Sequence, residues 1–410
     1  MIDLVAVRND QQMVQRLKLK DPDFPIDRLL ALDEKRRALT TMIEQFRARK
    51  NELAKSAQSG ITDEIRQESL SVSEHLKKYE QEFESVSSEF KELYLRCPNI
   101  PQESLPVGGK EANQAVNFFG KKPVFDFEPI NHIDLNKKLG WFDFEAAARM
   151  TGAGFVVYRG TAVKLIYALT KLMLKNNQEH GFELVLPPYL VNYKSLETAS
   201  NFPRFEGDVY ALQDDDLYLT PTAEVNLTNM YRDMILSAEQ LPIRMTAWTS
   251  CFRREAGGYG AQERGLIRIH EFEKVELYSI VKPDDSDQEL ERMRQCAEAI
   301  LQQLGLHYRV SLLATQDCSF PSAKTYDLEV WMPGQNAYYE VSSCSNCTDF
   351  QARRGSIRFR PSANEKPELV HTLNASSLAL PRLIVALMET YQQQDGTIVL
   401  PASLALYMDW

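Results

Sequence analysis

Eight positions between 72 and 97 constrain this chain more than any others: Val72, Leu76, Tyr79, Phe83, Val86, Phe90, Leu93 and Cys97 step by 4, 3, 4, 3, 4, 3 and 4. That alternation is the a/d seam of a coiled coil, a helix that needs a second helix to bury its stripe. Upstream, Leu29, Leu32, Leu39, Ile43, Phe46 and Leu53 fit the same register, with Arg36 and Lys50 as polar interruptions. Between the seams lies SAQSGITDE (56–64), where Ser59 and Gly60 stop one helix and Thr62, followed by acids, starts another. The pattern predicts an antiparallel hairpin over 26–97, its arms about 48 Å long at ~1.5 Å per residue. Outer faces charged all round should make it protrude. Periodicity alone fits dimerisation or spacing. Charge adds a third use: Arg47, Arg49, Lys50 and Lys55 cluster near the tip of the first helix, while Glu80, Glu82, Glu84 and Glu89 make the second acidic. One side of the arm can meet phosphates while the other stays solvated.

CPNIPQESLPVGG (97–109), with three prolines and two terminal glycines, ends the second helix and marks a domain boundary. The expected organisation is a helical domain over 1–100, a linker over 101–120 and a larger body over 121–410. A chain of 410 residues with 44% hydrophobic and 25% charged residues has ample material for a core. A net charge of −10 argues against coating nucleic acid through the overall field, though not against a local basic face. No apolar run reaches the ~18 residues of a membrane span. The N-terminal MIDLVAVRNDQQMVQRLKLK has no signal-peptide core, so a cytoplasmic protein is expected. Six cysteines spread over this length are not a disulfide framework. Cys344 and Cys347 would need Cys318 and His371 to complete a zinc site, and buried reduced thiols are the simpler expectation; no zinc is expected.

Beyond the boundary strands and helices alternate irregularly. Residues 161–177 carry Ala162, Leu165, Ile166, Leu169, Leu172 and Met173 at helical spacing, and FELVLPPYLV follows as a strand stopped by Pro187 and Pro188. YDLEVWMPGQNAYYEVSS reads as a hairpin turning at Pro333 and Gly334. Antiparallel pairs with helices between them predict an α+β body.

The stretch SCFRREAGGYGAQERGLIRIHEFEKVEL (250–277) encloses a glycine-rich loop that fits neither a P-loop nor a G-x-G-x-x-G turn. Read as a strand pair, it places Arg253 and Glu255 together. Arg268, His270, Phe272, Lys274 and Glu276 then share one face, with Ile267, Ile269 and Val275 on the core face. Such a face can hold a nucleotide: arginine for phosphate, an aromatic ring over the base, a carboxylate for an amino group. It also fits a surface strand with ordinary cross-strand ion pairs. Two further stretches add weight. YLTPTAEVNL (218–227) places Thr222, Ala223 and Glu224 beside a helix start. YYEVSS (338–343) holds Glu340, Val341, Ser342 and Ser343, with Glu340 and Ser343 as oxygen ligands for magnesium against phosphates. Their spacing of three requires an irregularity or a strand end, because a regular strand would turn them to opposite faces.

Together these residues resemble the bacterial-type seryl-tRNA synthetases, a class II family, along essentially the whole chain. The helix and strand ending at Pro188 resemble motif 1, the dimer element; residues 252–276 resemble motif 2; and LNASSLALPRLIVALMETYQ (373–392) resembles motif 3. The resemblance implies a catalytic domain built on an antiparallel sheet flanked by helices. It implies activation of serine with ATP and Mg2+, transfer to the terminal adenosine of serine tRNA, and a homodimer. Carried over by position, Arg253 binds the α-phosphate and the serine carboxylate, with Arg254 beside it. Glu255 reads the adenine amino group, Phe272 stacks on the ring, and Arg382 holds the γ-phosphate. The EVSS run lies at ATP, with Glu340 and Ser343 on magnesium. Thr222, Ala223, Glu224, Glu276, Asn374 and Ser376 surround serine. Arg47, Arg49 and Lys50 are the implied contacts of an arm that grips tRNA. Motif 3 departs from the family's glycine-rich pattern at Ala375 and Ser377, and Pro381 precedes the arginine, which suits a first helical turn. Two other readings stand beside this one: a paralogue that charges a carrier protein, and a silent RNA-binding scaffold.

Overall fold

The computed structural model describes residues 1–58, 60–255 and 265–408. Ser59 and the glycine-rich loop at 256–264 lie outside the described residues. The chain divides into two compact units, Met1–Pro98 and Asn99–Trp410.

In the first unit, two short helices, α1 (Leu4–Asn9) and α2 (Gln11–Lys20), precede α3 (Ile26–Ala57) and α4 (Asp63–Leu95). The two long helices pair as the seam requires, burying Leu29, Leu39, Ile43 and Leu53 against Val72, Leu76, Val86 and Phe90. Thr62 caps α4, its Oγ1 accepting the Ile65 N–H at 3.2 Å. The polar interruptions behave differently from each other. Arg36 lays its guanidinium 4.5 Å from the Phe90 ring centroid, whereas Lys50 is exposed. Asp33, which the heptad reading passes over, is buried and bonded to Arg8 at 2.5 Å and Arg37 at 3.0 Å. The unlike charges of the two helices meet across the hairpin, as in Arg28–Glu89 at 2.6 Å, Lys35–Glu82 at 2.7 Å and Arg47–Glu80 at 2.7 Å.

The second unit is an α+β body around one eight-stranded sheet. Its strands are β1 (Gln114–Phe119), β2 (Glu183–Val185), β3 (Ile243–Phe252), β4 (Glu271–Val281), β5 (Tyr308–Leu312), β6 (Lys324–Met332), β7 (Ala337–Asn346) and β8 (His371–Ala379). Their spatial order is β1-β5-β6-β7-β8-β4-β3-β2, antiparallel throughout except for the β2–β3 pair. The helices that bear on the site are α5 (His132–Leu139), α6 (Thr161–Glu179), α7 (Ala223–Asn229), α8 (Ser286–Gln303), α9 (Phe350–Gly355) and α10 (Leu380–Tyr391).

Residues 101–120, read as a linker, are part of this body. Within them β1 pairs with β5, and the Gln102 N–H donates to the Ala323 carbonyl at 2.8 Å. One face of the sheet carries Val275, Leu328, Val330 and Leu378 into a core shared with Leu165, Leu169 and Leu172 of α6, Ile300 and Leu301 of α8, and Leu383, Ile384 and Leu387 of α10. Each such side chain contributes about 1.5–3 kcal/mol on burial, which fixes the sheet against its helices. The alternation that buries those residues sends their neighbours to the opposite face, where the cleft lies.

Candidate active site

A cleft of about 350 Å³ opens on the polar face of the sheet. It is lined by Thr222, Glu224, Arg253, Glu255, Phe272, Glu276, Glu340, Val341, Ser343, Asn374, Ser376 and Arg382, so most of the residues singled out in the sequence converge there. Three of those assigned to ATP or serine do not line it. Ala223 is buried in an apolar cluster, Ser342 turns its hydroxyl to the Ser376 carbonyl, and Arg254 lies with its guanidinium 5.7 Å from the Tyr210 ring centroid. Arg47, Arg49 and Lys50 belong to the other unit.

At one end, Thr222 caps α7 and donates from Oγ1 to Glu276 Oε2 at 2.9 Å. Lys274, two residues before Glu276 and so on the same face of β4, donates from Nζ to Thr222 Oγ1 at 2.8 Å and ion-pairs with Glu276. Glu224 Oε1 accepts from Gln351 Nε2 at 2.6 Å and from Asn374 Nδ2 at 3.1 Å. Burial, reinforced by the Glu276 charge, pushes the Glu224 carboxyl up to about 7. This pocket therefore holds two carboxylates of unequal character, one compensated by a lysine and one poised between its charged and neutral forms.

At the other end, the two arginines are held by backbone carbonyls. Arg253 follows the last residue of β3; its Nε donates to Pro221 O at 3.2 Å and its guanidinium lies 5.3 Å from the Phe272 ring centroid. Arg382 stands in the first turn of α10, behind Pro381, and donates from Nε to Ile267 O at 3.2 Å and from Nη1 to Glu340 O at 2.9 Å. Glu255 has a positive φ of 49° and accepts from Arg268 Nε at 2.6 Å.

The strand-pair reading of 250–277 needs one correction. β3 ends at Phe252 and β4 begins at Glu271, so Arg253, Glu255, Arg268 and His270 lie outside the strands. Leu266 and Ile267, in a 3₁₀ turn, and Ile269 are buried, and their packing rather than strand pairing sets the return.

The spacing of Glu340 and Ser343 is resolved by a bulge. Leu328 pairs with Ser342 and Glu329 with Glu340, which leaves Val341 as the extra residue and returns Glu340 and Ser343 to one face. Behind them on β6, Asp327 pairs in register with Ser343, and its Oδ1 is shielded from solvent with no hydrogen-bond partner among the described residues. A second bulge falls at Ser377, between the Ser376–Glu276 and Leu378–Val275 pairs. Ala375 and Ser377 face away from the cleft: Ala375 sits in an apolar cluster, and Ser377 donates to Asn177 Oδ1 of α6 at 3.0 Å. The two departures from the glycine-rich pattern therefore lie outside the cleft lining. Cys344 packs in the cluster with Ala375, and the Cys347 sulfur accepts from Asn374 Nδ2 at 3.4 Å.

Sequence reasoning named Lys274 without a role and missed Gln351 and Asp327. Strand alternation gives a signal for Asp327, which shares the polar face of YDLEVW with Glu329. Gln351 has none, since it reaches Glu224 from a helix 127 residues away in sequence.

Two family models match the chain: the seryl-tRNA synthetase N-terminal domain over residues 1–101, and the tRNA synthetase class II core domain (G, H, P, S and T) over residues 206–391. The serine–tRNA ligase of Geobacter sulfurreducens is 44% identical over 100% of this chain and 98% of its own length. That of Nitratidesulfovibrio vulgaris, strain Hildenborough, is 45% identical with the same coverage. Among solved structures, the seryl-tRNA synthetase from Pyrococcus horikoshii complexed with ATP superposes with a TM-score of 0.94 at 34% identity, covering 100% of this chain and 98% of its own.

Proposed function

Because the chain belongs to the seryl-tRNA synthetase family, we propose that its cleft joins serine to ATP as seryl-adenylate and then passes the seryl group to the 3′-terminal adenosine of serine tRNA. The observation that carries this reading is the cleft itself. Two carboxylates and a threonine form a small polar pocket at one end, two carbonyl-held arginines frame the other, and whole-length relatives are serine–tRNA ligases.

In the first step the serine carboxylate attacks the α-phosphorus and pyrophosphate leaves. Arg253 meets both the carboxylate and the α-phosphate, so its charge is best matched when phosphorus is five-coordinate. Arg382 takes the γ-phosphate, and its two backbone acceptors orient the guanidinium before substrate arrives. Phe272, already in contact with Arg253, stacks on the adenine, while Glu255 reads the adenine amino group. Val341 lines the cleft beside Glu340 and flanks ATP, whereas Arg254 and Ser342, which do not line the cleft, are left without a direct contact. In the second step a ribose hydroxyl of the tRNA takes the seryl group. No side chain acts as a nucleophile, so positioning and electrostatics carry the rate.

Serine sits among Thr222, Glu224, Glu276, Asn374 and Ser376, where carboxylates accept from its ammonium and hydroxyl together, and Ala223, buried behind them, only positions the helix start. A pocket built to bond a hydroxyl rejects alanine strongly, since a buried acceptor would be left unpaired.

The residues present fit magnesium. Glu340 and Ser343 offer hard oxygen donors on one face, with an Asp327 oxygen behind them that has no partner among the described residues, and magnesium is ordinarily held by one or two carboxylates plus phosphates. When bound, the ion neutralises phosphate charge. The basic residues Arg47, Arg49 and Lys50 of the hairpin meet the tRNA backbone. Tyr167, Leu184, Leu186 and Tyr189, on and after α6, are all more than a third exposed, an apolar patch that a second copy covers in a homodimer. No helix among the described residues is long and apolar enough to cross a membrane, and we assign the enzyme to the cytoplasm.

The deciding experiment is ATP–pyrophosphate exchange with each of the twenty amino acids, followed by charging of total tRNA. Exchange and charging with serine support the reading. Exchange without charging favours the carrier-protein paralogue, and no exchange with any amino acid favours a silent scaffold.

A further inference from the structure

Behind the cleft, His132 and Glu389 form a fully buried pair that the chemistry above does not use. Glu389, on α10, is saturated with donors. Oε1 accepts from the His132 backbone N–H at 3.0 Å and from Gln335 Nε2 at 3.2 Å, faces His132 Nδ1 at 3.3 Å, and Oε2 accepts from the Gly334 N–H at 3.0 Å. An ionised carboxylate only accepts, so Nδ1 must carry the proton and donate. The other ring nitrogen then has a lone pair, and it is aimed at a donor: the Leu266 N–H lies 3.3 Å from His132 Nε2. Carboxylate, imidazole and amide thus fix one neutral tautomer.

The neighbouring backbone is shaped around this ring. Gly265 has φ of 68°, and a Cβ there would lie 2.3 Å from His132 Nε2. Only glycine lets the imidazole sit directly beneath the return that leads into β4. The next carbonyl after Leu266, that of Ile267, is the one that accepts from Arg382 Nε. Arg382 in turn stands on the same helix as Glu389, seven residues earlier. The path Glu389–His132–Leu266–Ile267–Arg382 is closed, with both ends on α10.

We propose that His132 is a positioning residue for the ATP half of the cleft: held by Glu389, it accepts the Leu266 N–H and so sets the carbonyl that aims Arg382. This rests on the assignment of Arg382 to ATP, and it separates His132 from the serine pocket, whose walls come from α7, α9, β4 and β8.

The test begins with wild-type ATP–pyrophosphate exchange with serine; its failure would undo the functional reading itself rather than the role of His132. Three variants are then compared, with KM measured separately for ATP and serine. His132→Gln places an amide oxygen near the Nε2 position, His132→Asn restores only the donor to Glu389, and His132→Phe restores neither. His132→Phe and His132→Asn are expected to raise the KM for ATP about tenfold, the cost of a buried amide left unpaired, with the serine KM within about twofold, while His132→Gln stays near wild type. Equal behaviour of the Gln and Asn variants, or serine and ATP KM rising together, would overturn the proposal. Should the variants fail to fold, wild-type protein with 15N-labelled histidine decides: a protonated Nδ1 and bare Nε2 for His132 at pH 7.5 are required, and a protonated Nε2 refutes the wiring.

Discussion

On the proposed function the chemistry turns on Arg253 and Glu224, and each makes a prediction. Among the described residues the Arg253 side chain meets the Pro221 carbonyl and the Phe272 ring, so on the proposed mechanism its loss removes transition-state charge stabilisation without opening the core. Arg253→Ala is expected to lower adenylate formation by about 10²-fold or more with an unchanged melting temperature; normal exchange in this variant would remove the residue from the mechanism. Glu224 titrates at about 7, raised by burial and by Glu276. A carboxyl raised in the folded state favours its protonated form, so its contribution to stability is present below the ordinary carboxylate range and is lost as pH rises through about 7. On the proposed function serine binding has the opposite sign, because the ammonium would need the ionised carboxylate. The serine KM is therefore expected to fall as pH rises through about 7 and to level off above it, and a flat profile over that range would place the ammonium elsewhere. Lys274→Met removes the cation between Thr222 and Glu276, and it is expected to weaken serine binding while sparing that for ATP, read as separate KM values.

At the level of elements, the charge segregation between α3 and α4 pairs the two helices and, on the proposed function, also serves tRNA binding. Arg47 pairs with Glu80 and Arg49 with Glu68 and Glu52, yet these groups are exposed, and such pairs stabilise little. Their basic ends remain accessible to a polyanion. The double substitution of Arg47 and Arg49 by alanine is expected to leave melting and serine-dependent exchange unchanged while raising the KM for tRNA. The log–log dependence of tRNA binding on salt should flatten as well, its slope falling by about 0.7–0.9 for each phosphate that is no longer neutralised. An unchanged salt slope would mean that these arginines serve only the hairpin. The β7 bulge shows how an element was partly legible. The three-residue spacing of Glu340 and Ser343 demanded an irregularity, but which residue bulges, Val341, follows from how β6 pairs with β7.

Across the whole molecule, the division into two compact units predicts separable activities. Removal of residues 28–96 is expected to spare serine-dependent pyrophosphate exchange and abolish tRNA charging; loss of both would show that the body needs the hairpin to fold. The sequence by itself determined the hairpin, because a 3.5-residue apolar repeat admits few other uses. It also determined the α+β class, and the kinds of side chain in the cleft, because strand alternation assigns faces locally. The tertiary structure alone decided the rest. Residues 101–120 read as a linker because prolines and glycines mask an edge strand whose partner is almost 200 residues away. Arg268 and His270 read as strand residues because alternation persists through a return that buried packing bends. Gln351 reaching Glu224, Lys274 lodged between Thr222 and Glu276, and His132 meeting Leu266 are pairings between distant segments, set by how the sheet stacks its strands and by which helix covers each end. No local period encodes such pairings, since each depends on the packing of elements that are remote from one another along the chain.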